Sequence, residues 1–239
     1  MPMTQFKLEY SLNIYEASGI TAIITAAGSS QRMGGLDKMM APLQGVPVLA
    51  HTIKAFQEHS DIKAIIVVAS EKNIRAVQSL CDSFSKVTDI VSGGNSRAES
   101  VAAGFARVRT KQVLIHDGAR PLVSKEIIDR VIEGLRINKA CAAAVPIKDT
   151  IKTVDQSGMV IETLNRDSLM AMQTPQAFES EAYQNALNGN TDISRFTDDC
   201  ALVESSGVKV CCVEGNYKNI KITTAEDLLV AEAFLKGEL

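Results

Sequence analysis

The chain has 239 residues, 46% of them hydrophobic, and a formal charge of -3. This size allows one large domain with a sizeable core, and the acidic balance argues against a broad nucleic-acid or anionic-membrane surface. Five cysteines without C-x-x-C spacing and no apolar run of about 20 residues predict a protein of a reducing cytosol with no membrane span. We therefore expect a cytoplasmic protein whose partners are small anions, with no nucleic acid and no membrane.

Short apolar runs rich in β-branched residues alternate with amphipathic helical patterns. One helical pattern places Val48, Thr52 and Phe56 on a common face. The apolar runs predict buried strands at residues 20–25, 64–69, 86–91, 113–116, 141–145 and 208–213. Together they predict an α/β fold, a three-layer α/β/α sandwich around a Rossmann-like, mostly parallel sheet, with ligands at the carboxyl ends of the strands.

The domain organisation is predicted to be simple. Residues 1–19 are interpreted as an irregular leader and residues 20–239 as a single domain. Within that domain, residues 148–167 alternate Thr, Val and Ile around Ser157-Gly158, which favours a hairpin. We interpret this hairpin as a protruding β-arm.

A glycine-rich loop, residues 26–38, follows the first predicted strand. Its small residues would let backbone N–H groups cradle a triphosphate, and Arg32 and Lys38 would add positive charge where phosphoryl charge develops. The loop matches neither G-x-G-x-x-G nor G-x-x-x-x-G-K-[ST], so the dinucleotide and P-loop interpretations lose their main support. A simple turn with solvated cations remains the alternative.

Three later features also fall at predicted element ends. Ser96 and Glu99 predict a capping box, at a helix start whose backbone groups could also contact a nucleotide. Asp117 ends an apolar strand, where it could be an oxygen ligand for Mg²⁺ or a loop-bracing carboxylate. Lys221 is predicted to end a short strand just before a capping box that begins at Thr223, where its charge could reach a phosphoryl group.

Ordered motifs from about residue 20 to the end resemble those of the 2-C-methyl-D-erythritol 4-phosphate cytidylyltransferase family of nucleotidyltransferases. Besides the loop, they are SGGNSRAESV at 92–101, HDGARP at 116–121, PIKDT at 146–150, TPQ at 174–176, TD at 197–198 and NIKIT at 219–223. The chain departs from the family pattern at Asp37, where Pro is frequent, and at Gly118, where Ala is frequent. Asp37 could weaken the charge of Lys38.

The resemblance implies transfer of CMP from CTP to 2-C-methyl-D-erythritol 4-phosphate, giving 4-diphosphocytidyl-2-C-methyl-D-erythritol and pyrophosphate, in non-mevalonate isoprenoid precursor synthesis. It also implies Mg²⁺ as cofactor and a homodimer formed through the 148–167 arm. The implied catalytic residues are Arg32, Lys38 and Lys221. The implied nucleotide-binding residues are Ala26, Ala27, Gly28, Gly94, Asn95, Ser100 and Gly118. The implied substrate-binding residues are Asp117, which would also contact the metal, Arg120, Thr150, Arg166, Thr174 and Thr197.

The expected roles of two residues near Asp117 differ from direct catalysis. His116 is expected to brace the loop rather than exchange protons, because the attacking phosphate is already an anion. Arg120 could bind the substrate phosphate or pair with a buried aspartate, and we favour the aspartate.

Two other functions stay open. A ribitol 5-phosphate cytidylyltransferase would share the fold and the CTP motifs, although the HDGARP motif favours methylerythritol. A regulatory module that binds CTP without turnover is the second, and the set Arg32, Lys38, Asp117 and Lys221 argues against it.

Overall fold

The computed structural model describes residue 15, residues 17–28 and residues 37–238. The strands are β1 (Ala17–Ala26), β2 (Pro42–Leu43), β3 (Val46–Pro47), β4 (Ile62–Ala69), β5 (Val87–Ser92), β6 (Thr110–Asp117), β7 (Ala140–Pro146), β8 (Lys152–Val154), β9 (Val160–Thr163), β10 (Met170–Glu179) and β11 (Cys211–Glu214). The helices are α1 (Val48–Gln57), α2 (Ile74–Cys81), α3 (Arg97–Phe105), α4 (Lys125–Ile137), α5 (Ser180–Asn188), α6 (Asp199–Glu204) and α7 (Ala225–Lys236), with a 3-10 turn at Arg166–Ser168. The predicted leader lies mostly outside these residues, and β1 begins at Ala17, inside its last positions.

A seven-stranded sheet in the order β11-β7-β10-β6-β1-β4-β5 forms the centre of the molecule. All neighbouring pairs are parallel except the two made by β10, which runs antiparallel to both β6 and β7. The predicted α/β fold with a mostly parallel sheet is confirmed. Because the six parallel strands end at one edge, the loops after β1, β5 and β6 meet there.

Helices cover both faces of this sheet. On one face α1, α2 and α4 pack through residues such as Phe56, Val77 and Val131, and on the other α3, α5 and α6 pack through residues such as Phe105 and Tyr183. The inner parallel strands β1, β4, β6 and β7 are buried on both sides, which explains their continuous apolar sequences, whereas the edge strands β5 and β11 are only partly buried. The three-layer arrangement follows from these two separate cores.

Strand β10 was not predicted from the sequence. Pro175 lies in its middle, and a proline inside an apolar run argues against a strand, because it cannot donate to the ladder. The pairing of β10 with β7 is interrupted between Met172 and Gln176, and the proline falls inside this interruption. The strand therefore tolerates Pro175 through a local break in register.

The predicted hairpin at residues 148–167 contains the antiparallel pair β8 and β9. Both strands are exposed along their whole length in the single chain, including the apolar Val160 and Ile161. Its protrusion as an arm and its part in dimerisation stay predictions.

Two predictions on helix starts have different outcomes. The capping box at α3 is confirmed, with Glu99 N–H donating to Ser96 Oγ at 3.1 Å and Ser96 N–H donating to Glu99 Oε2 at 2.9 Å. The box before α7 begins one residue later than predicted, at Thr224, because Asp227 rather than Glu226 accepts the Thr224 N–H at 2.9 Å. Lys221 lies in an irregular segment, not at a strand end.

No helix within the described part of the chain is long and apolar enough to span a bilayer.

Candidate active site

A cluster of charged side chains surrounds Asp117, the last residue of β6. Lys221 Nζ lies 2.9 Å from Asp117 Oδ2, Arg97 Nε lies 3.3 Å from Oδ1, and Arg120 Nε lies 3.5 Å from Oδ2. These three cations come from the start of α3, the loop after β6 and the segment before α7. The fold thus gathers at one strand end charges that are far apart in sequence.

The cluster carries more positive than negative charge. Arg97 NH1 also pairs with the buried Asp199 at 2.6 Å, so three cations face two carboxylates. Burial disfavours ionisation of Asp117, but the charges of Arg97 and Lys221 outweigh it and hold its pKa well below the ordinary value. Burial likewise opposes the charge of Arg97, but the carboxylates of Asp199 and Asp117 prevail and raise its pKa. The net positive charge suits an anionic ligand.

His116 braces the loop behind Asp117. Thr174 Oγ1 accepts the Asp117 N–H at 3.1 Å and lies 3.0 Å from His116 Nδ1, while His116 Nε2 lies 3.2 Å from the Arg120 carbonyl oxygen. A neutral ring that accepts at Nδ1 and donates from Nε2 satisfies all these contacts. Burial lowers the pKa of His116 to about 4, which keeps the ring neutral at physiological pH. The expectation that His116 has a bracing role agrees with this geometry.

Two cavities of about 450 and 470 Å³ open on either side of the cluster. Arg97, Asp117 and Lys221 line both of them. The first is also lined by Arg120, Met172, Gln173, Thr174, Gln176, Thr197, Asp198, Cys200, Glu204, Val210 and Cys212. The second is also lined by Thr25, Ala27, Gly28, Lys38, Met39, Gly94, Asn95, Ser96, Ser100 and Ala119. Two ligands would therefore meet at the Asp117 cluster.

Two glycine-containing segments form one wall of the second cavity. A Cβ on Gly93 would lie 2.6 Å from the Cβ of Ala27, so only glycine allows the segments after β1 and β5 to approach so closely. Ser100 Oγ accepts the Gly94 N–H at 3.1 Å and donates to the Ser96 carbonyl at 2.9 Å. These bonds fix the backbone that faces the cavity.

The segment that carries Lys221 is held by buried amides. Gln173 Nε2 donates to the Asn216 carbonyl at 2.8 Å, and its Oε1 accepts the Asn216 N–H at 3.2 Å. Asn219 Nδ2 donates to the Thr174 carbonyl at 2.9 Å, and Arg120 NH1 donates to the Asn219 carbonyl at 2.7 Å. These contacts set the position of Lys221 although its segment has no regular structure.

The side chains near Asp117 determine whether the site could hold a magnesium ion. Both oxygens of Asp117 already face cations, and no group of three His, Cys, Asp or Glu residues within the described ranges could hold a metal ion. Mg²⁺ usually takes one or two protein carboxylates and completes its shell with substrate phosphates and water. The residues present would therefore fit an ion whose ligands come mainly from a bound substrate, with Asp117 as the side chain that could contact it.

Comparison with known proteins agrees with the fold and shows the family of the chain. Residues 20–237 match the family model described as 2-C-methyl-D-erythritol 4-phosphate cytidylyltransferase. The chain belongs to this family. Proteins of that name from Caldanaerobacter subterraneus subsp. tengcongensis and Dehalococcoides mccartyi strain 195 are 47% and 46% identical to it, each over 91% of this chain and 99% and 96% of the relative. The crystal structure of 4-diphosphocytidyl-2C-methyl-D-erythritol synthase from Anaerococcus prevotii has a TM-score of 0.82 at 34% identity and covers 92% of this chain and 99% of that one.

Family membership identifies the chain as a nucleotidyltransferase enzyme. The structure brings most of the predicted site residues together. Those that line one or both cavities are Ala27, Gly28, Lys38, Gly94, Asn95, Ser100, Asp117, Arg120, Thr174, Thr197 and Lys221. Ala26 ends β1 just before the second cavity. The roles assigned to these residues stay predictions.

Three predicted residues are placed elsewhere, and a fourth is not described. Arg32 lies outside the described residues. Gly118 is buried, and its N–H donates to the Thr25 carbonyl at 2.9 Å, so that group is not available to a nucleotide. Thr150 and Arg166 flank the exposed hairpin, where Arg166 NH1 donates to the Lys148 carbonyl at 3.4 Å.

Sequence reasoning missed the supporting residues of the site. Asp199 follows the TD motif directly, Gln173 precedes the TPQ motif, and Asn219 begins the NIKIT motif. Arg97 was noted in its motif without a role. The adjacency of these residues to recognised motifs was the one available signal, because their partners are distant in sequence.

Proposed function

We propose that this chain transfers CMP from CTP to 2-C-methyl-D-erythritol 4-phosphate and releases pyrophosphate, a step of isoprenoid precursor synthesis. The family supports the reaction and the names of its substrates. The observation that carries the proposal is the meeting of two cavities at Asp117 and Lys221. Such a geometry would bring two phosphorylated ligands together over a positively charged cluster.

The second cavity is the proposed CTP site and the first the proposed polyol phosphate site. Lys38 lines only the second, where its charge would face the triphosphate. Arg120 and Thr197 line only the first, where they would contact the polyol phosphate. Lys221 lines both, and its side chain is 39% exposed, so it can turn from Asp117 to a bound phosphate.

The proposed reaction is a single in-line displacement. A phosphate oxygen of the polyol phosphate forms a bond to the α-phosphorus of CTP, and the bond from that phosphorus to the oxygen that bridges to the β-phosphate breaks. Pyrophosphate leaves with the electron pair of the broken bond. Lys221 would stabilise the α-phosphoryl oxygens and Lys38 the leaving group, so catalysis is positioning plus charge neutralisation. No general base is required, which agrees with a neutral, buried His116.

Magnesium is the proposed cofactor. It would supply further neutralisation of the triphosphate charge, and Asp117 would help to hold it. Arg97 and Arg120 would then keep the Asp117 carboxylate ionised and fixed in position.

We also propose a cytoplasmic homodimer. The exposed hairpin β8–β9 presents Val154, Met159, Val160 and Ile161, whose burial against a second copy would be favourable. In such a dimer, Thr150 and Arg166 at the hairpin base would contact the polyol phosphate bound by the partner subunit.

A pyrophosphate-release assay tests the reaction. The protein is incubated with Mg²⁺ and each nucleoside triphosphate in turn, with methylerythritol 4-phosphate or ribitol 5-phosphate as acceptor. We expect pyrophosphate release only when CTP and methylerythritol 4-phosphate are both present. A preference for ribitol 5-phosphate would favour the alternative acceptor, and no release with either acceptor would favour a regulatory CTP-binding module.

A further inference from the structure

The side chain of Asn73 contacts both flanks of the glycine-rich loop. Its Nδ2 donates to the carbonyl of Ala26, the last residue of β1, at 3.1 Å and to Asp37 Oδ2 at 3.0 Å. These two residues lie on either side of residues 29–36, so one amide joins the chain before that stretch to the chain after it. Asn73 is buried, and none of the motifs that carry the family resemblance contains it.

The orientation of this amide is fixed by its partners. Ser70 N–H donates to Asn73 Oδ1 at 2.9 Å, and a backbone N–H can only donate. The Ala26 carbonyl can only accept, so the opposite end of the amide must be the NH₂ group. Both protons of Nδ2 are thereby committed to the loop flanks.

Asn73 occupies the N-cap position of α2 without capping it. An N-cap asparagine ordinarily accepts a hydrogen bond from an N–H of the first helical turn. No such side-chain bond is made here, and the side chain instead turns towards β1 and Asp37. Ser70 caps this turn instead: Asn73 N–H donates to Ser70 Oγ at 3.3 Å and Ser70 N–H donates to Asn73 Oδ1, which leaves the NH₂ group of Asn73 for the contact with the loop flanks.

Asp37, which Asn73 contacts, also holds the backbone around Lys38. Its Oδ1 accepts the Met39 N–H at 3.0 Å, so the carboxylate spans the backbone of Lys38. Met39 is buried in the core and its carbonyl accepts the Leu49 N–H at 3.0 Å. Lys38 is thus fixed on both sides, and its Nζ lies 3.9 Å from where a Cβ on Gly28 would be.

We infer that Asn73 and Asp37 are positioning residues for CTP: they hold Lys38 at the edge of the nucleotide cavity. Asp37, where the family often has proline, makes this anchorage from a carboxylate whose two oxygens are both occupied by N–H donors. The inference rests on the proposed function, since it assigns Lys38 to the triphosphate of CTP.

The discriminating variant is Asn73→Asp. It keeps an oxygen for Ser70, and so the local turn, but cannot donate to Ala26 and places a carboxylate against Asp37. We expect CTP binding, measured by calorimetry without acceptor, to weaken by about tenfold and kcat/KM for CTP to fall about 10- to 100-fold. KM for the polyol phosphate should not change. The double variant Asn73→Asp with Asp37→Asn restores a donor between positions 37 and 73 and should recover part of the loss.

The effect of Asn73→Asp in the wild-type and in the Lys38→Ala protein distinguishes a positioning role from a general loss of structure. In Lys38→Ala, the further change Asn73→Asp should have little additional effect, because the group that it positions is gone. Asn138→Ala is the matched control. It removes one side-chain hydrogen bond, from Asn138 Nδ2 to the Gly134 carbonyl at 2.9 Å, in the segment before β7 and so at the opposite edge of the sheet. This variant should retain wild-type kinetics.

The inference is overturned if Asn73→Asp binds CTP like the wild type, or if it lowers activity equally in both backgrounds. A wild-type protein that transfers no CMP would instead overturn the proposed function, so the two failures are distinguishable.

Discussion

Lys221 Nζ lies 2.9 Å from Oδ2 of Asp117, across the boundary between the two cavities. Asp117 is almost fully buried, whereas Lys221 is partly exposed. Because its ammonium group is already partly exposed to solvent, Lys221 can leave this carboxylate for a bound phosphate, and Arg97 and Arg120 still face Asp117. In the proposed reaction, this pair would be the resting position of Lys221.

Replacement of Lys221 should reduce turnover more than stability. Lys221→Ala removes a charge directed at the transferred phosphoryl group, and the loss of one such group typically costs about 10²- to 10³-fold in kcat. Steady-state pyrophosphate release measures the effect. Lys111→Ala, an exposed lysine near the other end of β6, is the control and should behave like the wild type. Near-normal kcat in Lys221→Ala would contradict the assigned role.

Replacement of Asp117 should affect folding as well as catalysis. Asp117→Asn leaves Arg97, Arg120 and Lys221 without their shared anion, and removal of one partner from a buried pair costs about 3–5 kcal/mol of the free energy of unfolding. The lower end applies, because Lys221 is 39% exposed. Denaturant unfolding measures the change. Added pyrophosphate should stabilise the variant more than the wild type, and an unaltered free energy of unfolding would refute the electrostatic description of the cluster.

His116 should make stability depend on mildly acidic pH. Burial lowers its pKa from 6.5 to about 4, so between these values the unfolded chain binds a proton that the folded chain does not. The stabilisation is full above pH 6.5 and is lost as the pH falls, by about 1.4 kcal/mol per pH unit and about 3 kcal/mol in all.

The variant His116→Gln isolates this effect. Its free energy of unfolding should change less between pH 6.5 and 4.5 than that of the wild type, measured by urea unfolding at each pH. Asp117 does not interfere in this window, because its lowered pKa affects stability only as the pH falls through and below the ordinary value of 3.8. Parallel pH profiles of the two proteins would contradict a neutral, buried His116.

The hairpin should control the oligomeric state. Ile161 is 69% exposed in the single chain, and Ile161→Asp places a charge on the proposed subunit contact. Analytical ultracentrifugation should show a shift from dimer to monomer, together with a loss of activity, since Thr150 and Arg166 would no longer reach the partner's site. Ile137→Asp, at a position that is 86% exposed at the end of α4, is the control. A dimeric Ile161→Asp protein would exclude this contact.

The sheet was predictable from the sequence because its inner parallel strands, β1, β4, β6 and β7, are buried on both faces and so form continuous apolar runs. The sequence did not predict β10, because Pro175 argues against a strand in the local sequence. The strand forms through its pairing with β6 and β7, which are distant in sequence. The sequence also misplaced the cap of α7 by one residue: Thr223-x-x-Glu226 and Thr224-x-x-Asp227 are equivalent as patterns, and only the position of Asp227 separates them.

The candidate site was predictable only where a residue lies at a strand end or in a motif. Asp117 and Lys38 met that condition, and the structure places both on cavity walls. Asn73 and Asp199 did not, because each acts through partners that only the folded chain brings near. Local patterns therefore identify the groups that face the ligands more readily than the groups that hold them in place.

A competition between two acceptors tests the proposed function most directly. The protein is incubated with CTP, Mg²⁺ and equal concentrations of methylerythritol 4-phosphate and ribitol 5-phosphate, and the products are identified by mass spectrometry. We expect 4-diphosphocytidyl-2-C-methyl-D-erythritol to dominate and Lys221→Ala to form far less of it. A dominant ribitol product, or no CMP adduct from the wild type, would contradict the proposed function.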